Sequence, residues 1–284
     1  MLRQRVLTAL VMAGVFLAAI LFLPPAGLAL LFGAIVALGG WEWSRLAGWQ
    51  SNPARALFVL LLLAALGALY VYCRFGEGGF AEVTQRKRVQ PLLGVACLWW
   101  SVALLWIKSY PASAALWGSR LMRSLIGLLT LVPAWLAAVF LLSYYPRGGM
   151  LMVVLVVVVA AADIGAYFSG KRWGRHKFAP DVSPAKTWQG FWGGLLGCAV
   201  LAVLLWRLLP AQAAHVSLPA VVAVTLTTAL ASVVGDLSVS MVKRQSGAKD
   251  SGSLLPGHGG VLDRLDSICG AAPVFALGLL LAGW

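Results

Sequence analysis

Apolar residues run in nine stretches, at 7–23, 26–41, 54–73, 91–107, 124–144, 150–168, 188–209, 216–242 and 267–284, and polar residues gather in the gaps between them. A helix crosses the hydrocarbon core of a bilayer with roughly 20 apolar residues. The pattern therefore predicts an all-α integral membrane protein, a polytopic bundle of about nine transmembrane helices. The first stretch carries the Arg3 and Arg5 flank of a secretory signal. It runs into Pro24, Pro25 and a second apolar span where a small-residue cleavage site would stand, so it reads as a retained helix.

Composition sharpens this class. The chain of 284 residues is 61% hydrophobic and 11% charged, whereas about a quarter of the residues of a soluble domain are charged. Its net charge of +13 has an ordinary explanation in topology and in contact with anionic headgroups. Nucleic-acid binding is not expected, because no soluble basic domain exists to carry it. Cys73, Cys97, Cys198 and Cys269 lie in or beside apolar runs with no CxxC pair, which predicts small buried hydrophobes and neither a thiolate metal site nor a disulfide.

With nine spans, the N-terminus and the loops after the second, fourth, sixth and eighth share one side. Arg74, Arg86, Lys87, Arg88, Arg147 and Arg207 fall on the other side, and the remaining sixteen of the 22 Lys and Arg on the first. The positive-inside rule assigns the richer side to the cytoplasm. Trp41, Trp43, Trp106, Trp206 and Trp284 sit near span ends, where indoles favour the headgroup layer. Gly190 and Gly194, with Gly193 and Gly197, form two GxxxG spacings that permit close helix approach within or between subunits.

Six of nine acidic residues (Asp163, Asp181, Asp236, Asp250, Asp263 and Asp266) follow residue 160, and only Glu42, Glu77 and Glu82 precede it. Residues 150–284 are thus expected to carry the chemistry, and residues 1–149 to serve packing, dimerisation or lipid access. Charge in a membrane chain is costly and marks function by default. Asp163 lies about a turn inside an apolar span, as a functional group or as an interhelical hydrogen-bonding one. Asp236, Ser240 and Lys243 are spaced i, i+4, i+7, which places them on one helical face. There Asp236 could ligate a divalent cation while Lys243 and Arg244 hold phosphate oxygens, or it could pair structurally with Lys243.

Two glycine-containing loops complete the set. Residues 170–190, GKRWGRHKFAPDVSPAKTWQG, combine Ser183, Lys186 and Thr187 with the turn formers Pro180 and Pro184. They could cradle a phosphate chain, although the order differs from a P-loop, and Lys171, Arg172, Arg175 and Lys177 equally suit a lipid headgroup patch. Residues 240–266 bring Lys249, Asp250, His258, Gly259, Gly260, Asp263, Arg264 and Asp266 together. His258 invites a general-base or metal-ligand role, but a lone histidine more often positions its neighbours through hydrogen bonds.

The run Ser240-x-Val242-Lys243-Arg244-x4-Lys249-Asp250-x-Gly252-x2-Leu255-Pro256-x-His258-Gly259-Gly260-Val261-x-Asp263-Arg264-Leu265-Asp266 closely resembles the signature of the phosphatidate cytidylyltransferases. Gly235-Asp236, DxGAYxxG around Asp163 and SPxKTWxG from Ser183 to Gly190 extend the likeness. The resemblance implies a homodimeric enzyme of the bacterial inner membrane, its site facing the cytoplasm. The implied reaction turns CTP and phosphatidic acid into CDP-diacylglycerol and pyrophosphate. It implies Mg²⁺ held by Asp236 and Asp263, with a monovalent cation such as K⁺ alongside. Lys243, Arg244, Lys249, Asp250 and Arg264 would complete the catalytic set, and Asp163, Ser183, Lys186, Thr187, Ser240, His258, Gly259, Gly260 and Asp266 would contact substrate. Val239 and Gln189 stand where many members have Glu, so neither supplies a carboxylate here.

Two other classes fit less well. A transporter predicts symmetric halves and polar groups near mid-bilayer, and a phosphotransferase consuming CDP-diacylglycerol resembles a pattern of aspartates along two consecutive helices. Neither pattern is found in this chain.

Overall fold

A computed structural model describes residues 2–75, 83–143, 148–209 and 216–283, without the side chains of 2–6 and 83–84. Glu77, Glu82, Arg147 and Trp284, and the side chains of Arg3 and Arg5, therefore lie outside the described residues. The elements run α1 (Leu2–Phe22), α2 (Pro25–Leu46), α3 (Asn52–Tyr72), α4 (Val83–Lys108), a single turn α5 (Ala114–Trp117), α6 (Arg120–Leu142), α7 (Gly148–Trp173), β1 (Lys177–Ala179), β2 (Ser183–Thr187), α8 (Trp188–Arg207), α9 (Leu218–Gln245) and α10 (Leu262–Leu281). Each of the nine predicted spans falls on a long helix. Among the described residues eight helices are long and apolar enough to cross a membrane, and the described apolar part of α1, Leu7–Phe22, is shorter. The protein is an all-α polytopic membrane protein.

Helices outrun the apolar windows where charged residues continue the backbone, since Lys, Arg and Asp interrupt hydropathy without breaking a helix. α9 extends through Lys243 and Arg244 to Gln245. α10 starts at Leu262 instead of 267, with Asp263 in its first turn, where a carboxylate suits the positive end of the helix dipole. The segment read as a turn-rich loop forms a short antiparallel hairpin, with Lys177 opposite Thr187 and Ala179 opposite Ser183. A two-stranded ribbon has only edge strands, which is why Pro184 is tolerated in β2.

α6 is the central helix: 72% of its apolar window is buried within the chain, against 17% for lipid-facing α3. Trp43, expected in the interfacial belt, is instead wholly buried. Its Nε1 donates to the Arg123 carbonyl at 2.8 Å, and its indole lies where a Cβ on Gly127 of α6 would be.

Small residues set the two closest crossings, in keeping with how helices associate when lipid competes for apolar faces. The GxxxG glycines of α8 face α7 of the same chain: a Cβ on Gly194 would meet the Ala162 carbonyl oxygen at 2.7 Å, and one on Gly165 the Gly193 oxygen at 2.8 Å. α9 and α10 meet at Gly235 and Gly270. A methyl on Gly235 would lie 2.5 Å from the Asp266 carbonyl oxygen and 2.8 Å from the Gly270 amide nitrogen. Gly235→Ala should therefore lower stability by about 1–3 kcal/mol. The check is a drop in Tm of the detergent-solubilised protein accompanied by lost activity, because this crossing holds Asp236 beside Asp266.

Candidate active site

The charged residues meet at one end of the bundle, where the C-terminal ends of α2, α7 and α9 surround the N-terminal end of α10. Arg244 Nε donates to the Val182 carbonyl at 3.2 Å, so the β1–β2 hairpin and the end of α9 are tied together. Both charge-rich loops thus occupy the same end, as the alternation of spans predicts.

A cleft of about 270 Å³ opens between α7, α9 and α10, lined by Val159, Asp163, Asp236, Asp263, Arg264, Asp266, Ser267 and Ile268. Four aspartates from three helices converge there, an arrangement that like-charge repulsion opposes. Lysines offset it. Lys186 Nζ on β2 lies 2.5 Å from Asp236 Oδ2, and Lys243 Nζ on α9 lies 2.8 Å from Asp263 Oδ1.

The carboxylates are further held by local donors. Asp263 accepts from the amides of Ser251 at 3.0 Å and Gly260 at 2.9 Å. Asp236 accepts from Ser240 Oγ at 3.3 Å, and Asp266 Oδ1 accepts from the Ser267 amide at 2.8 Å. The predicted shared face of Asp236 and Ser240 is therefore present. The alternative pairing of Asp236 with Lys243 is not: Lys243 turns to Asp263 across the α9–α10 contact, and Asp236 takes a lysine from the hairpin.

Asp163 also borders a second, largely apolar cavity of about 410 Å³ between α7, α8, α9 and the hairpin. Phe178, Phe191, Leu195 and Val233 form much of its wall, and Lys186 and Thr187 line it with Asp163. Phe178 stacks on Phe191 at 5.1 Å and meets Trp188 edge-on at 4.6 Å, which gives this wall a fixed shape. Thr187 is the N-cap of α8, its hydroxyl accepting from the Gly190 amide at 3.1 Å.

The other predicted residues stand further out. Ser183 opens β2 and lines neither cavity. Lys249 and Asp250 are exposed in the loop after α9. The His258 carbonyl accepts from Arg264 Nε at 3.2 Å and Nη2 at 2.9 Å. Gly259 takes φ +83° at a turn closed by the Leu255–Gly259 bridge, a conformation that favours glycine. At Gly260 a Cβ would run into Ser251 Oγ and the Glu42 carboxylate. This glycine gives room to a protein carboxylate.

Glu42 and Arg45 of α2 escaped the sequence reading. Glu42 is buried at 7% exposure. It accepts from Ser251 Oγ at 2.8 Å, the Val261 amide at 3.0 Å and the Leu262 amide at 2.9 Å, while Arg45 Nη2 donates to the Ser251 carbonyl at 2.6 Å. The signal was available, since Glu42 is an ionisable residue directly at the end of the apolar stretch 26–41. Its distance in sequence from the charged loops hid it.

Comparisons with known proteins place the chain among relatives. The model of the cytidylyltransferase family matches residues 3–282. The phosphatidate cytidylyltransferase of Pseudomonas aeruginosa is 44% identical over 284 residues, 100% of this chain and 99% of that one. That of Haemophilus influenzae is 39% identical over 286 residues, 97% and 98% of the two chains. The chloroplastic phosphatidate cytidylyltransferase 5 of Arabidopsis thaliana is 46% identical over 107 residues, 38% of this chain and 26% of the relative. With a family model spanning nearly its whole length and two full-length relatives of high identity, the chain belongs to the cytidylyltransferase family.

Proposed function

We propose that the protein transfers the cytidylyl group of CTP to phosphatidic acid, forming CDP-diacylglycerol and pyrophosphate at the cleft between α7, α9 and α10. The observation that carries this reading is the adjacency of two unlike cavities. A cleft lined by four aspartates abuts an apolar cavity, and Asp163 borders both. One reactant is a polyphosphate from water and the other a phosphate on two acyl chains, so the reaction needs both environments at one point. The apolar cavity falls in the usual size range of ligand pockets, about 300–1,000 Å³.

A phosphate monoester oxygen attacks the α-phosphorus of CTP, a new P–O bond forms, and the bond to the β-phosphate breaks with pyrophosphate leaving. With a second pKa of about 6 the monoester is mostly dianionic at neutral pH, so no strong general base is needed. The task is to hold two polyanions in line and neutralise them. Lys186 paired with Asp236, Lys243 paired with Asp263 and Arg264 at the cleft wall supply positive charge, and the His258 carbonyl holds Arg264.

Asp236 and Asp263 are the residues that would hold Mg²⁺. Both line the one cleft, and Mg²⁺ is commonly bound by one or two carboxylates together with waters and substrate phosphates. When bound it would neutralise charge building on the phosphoryl oxygens. A monovalent cation such as K⁺ beside it, and a homodimer in the bacterial inner membrane, remain implications of the family likeness. The excess of Lys and Arg on the side of the cleft supports a site facing the cytoplasm.

Purified protein supplied with labelled CTP, phosphatidic acid and Mg²⁺ should yield a lipid-soluble labelled product and pyrophosphate, and chelation of Mg²⁺ should abolish both. Release of CMP, or undiminished product in excess chelator, would overturn the respective parts of the reading.

A further inference from the structure

We infer that Glu42 of α2 is a positioning residue for the candidate site, a carboxylate that caps α10 from a distant helix and thereby aims Asp263. The inference rests on the assignment of Asp263 to the site.

Every helix starts with backbone amides that have no partner within it, and a side chain of its own N-cap residue usually answers them. α10 lacks that answer: its N-cap is Val261, which makes no side-chain cap. The amides of Val261 and Leu262 donate instead to Glu42, at 3.0 and 2.9 Å. The same carboxylate accepts from Ser251 Oγ at 2.8 Å, and the Ser251 amide donates to Asp263 at 3.0 Å. Glu42 thus holds the residue that begins α10 and the loop residue that hydrogen-bonds the Asp263 carboxylate.

Its own position is rigid. Trp43, the next residue, is hydrogen-bonded to α6 through the Arg123 carbonyl at 2.8 Å, and Arg123 Nη1 returns a bond to the Leu46 carbonyl at 2.9 Å. Gly252 and Gly260 both stand where a Cβ would strike the Glu42 carboxylate, so the loop is cut to fit this side chain. A buried carboxylate with three donors at the positive end of a helix is well satisfied. Residues that orient a ligand from behind commonly cost 10–100-fold in activity or metal affinity when altered.

Glu42→Gln replaces one acceptor oxygen by an NH₂ group facing N–H donors. We expect turnover per folded molecule to fall about 10–100-fold, the Mg²⁺ concentration for half-maximal rate to rise, and the KM for phosphatidic acid to change little. Hydrogen exchange should quicken in peptides covering 250–264 and stay unchanged elsewhere, and Glu42→Asp should recover part of the turnover. A loss that only tracks the amount of folded protein, with Mg²⁺ dependence and exchange unaltered, would overturn the inference. Where Glu42→Gln fails to fold, Ser251→Ala decides: it deletes one of the three donors and keeps the amide on Asp263, and a raised Mg²⁺ requirement supports the role while an unchanged one rejects it. Asp263→Asn measured alongside separates the two readings. Full activity there overturns the site assignment, whereas an inactive Asp263→Asn beside an unaffected Glu42→Gln overturns the positioning role alone.

Discussion

Asp263→Asn is expected to lower CDP-diacylglycerol formation by a factor of about a hundred to a thousand while leaving the helix bundle assembled. The carboxylate is one of the two that would hold Mg²⁺, and removing a group aimed at developing charge typically costs 10²–10³ in rate. The substitution preserves volume and one acceptor oxygen. It removes the charge opposite Lys243 Nζ, 2.8 Å away, and sets an amide donor among the N–H groups of Ser251 and Gly260. Assay of labelled CTP against phosphatidic acid, with Tm as the folding control, provides the test. Turnover per folded molecule within a few-fold of the parent would remove Asp263 from the site.

Lys243→Met should harm both stability and activity, and the two losses should separate on combination. The Lys243 and Asp263 side chains are 11% and 7% exposed. Breaking a buried pair by removing one partner leaves an uncompensated charge, at a cost of about 3–5 kcal/mol. Combining Lys243→Met with Asp263→Asn removes both charges, so the double variant should regain a good part of the stability lost in Lys243→Met and remain inactive. Denaturation of the four proteins in the cycle measures the coupling directly. Additive stability losses would show that the pair is not coupled in the folded protein.

Both outcomes follow from a network that the sequence displayed only in part. The long apolar helices were legible because hydropathy dictates them: apolar side chains partition into lipid, and a helix alone satisfies its backbone there. The convergence of Asp236 and Asp263 with basic residues was legible from charge placed where charge is costly. The hairpin of β1 and β2 was not, since seven of the eleven positions from 177 to 187 are polar or proline and the segment carries no period that separates a short ribbon from a loop. Trp43 was misread because a span-end tryptophan can face lipid or protein. The choice is made by Gly127, on another helix, which leaves space for the indole.

Pairing is where one-dimensional reasoning ended. Helical spacing correctly put Ser240 beside Asp236, since i, i+4 neighbours are fixed by the helix itself. It suggested Lys243 as the other partner of Asp236, whereas the Gly235–Gly270 crossing brings α10 close enough for Lys243 to reach Asp263, and the hairpin delivers Lys186 to Asp236. The sequence by itself determined a membrane bundle with an acidic and basic cluster at one end, because those properties depend on composition and local order. Only the tertiary structure decided which lysine meets which aspartate, that an apolar cavity adjoins the cleft, and that Glu42 holds the start of α10. Those depend on contacts between residues up to 220 positions apart, set by how closely small residues let the helices approach.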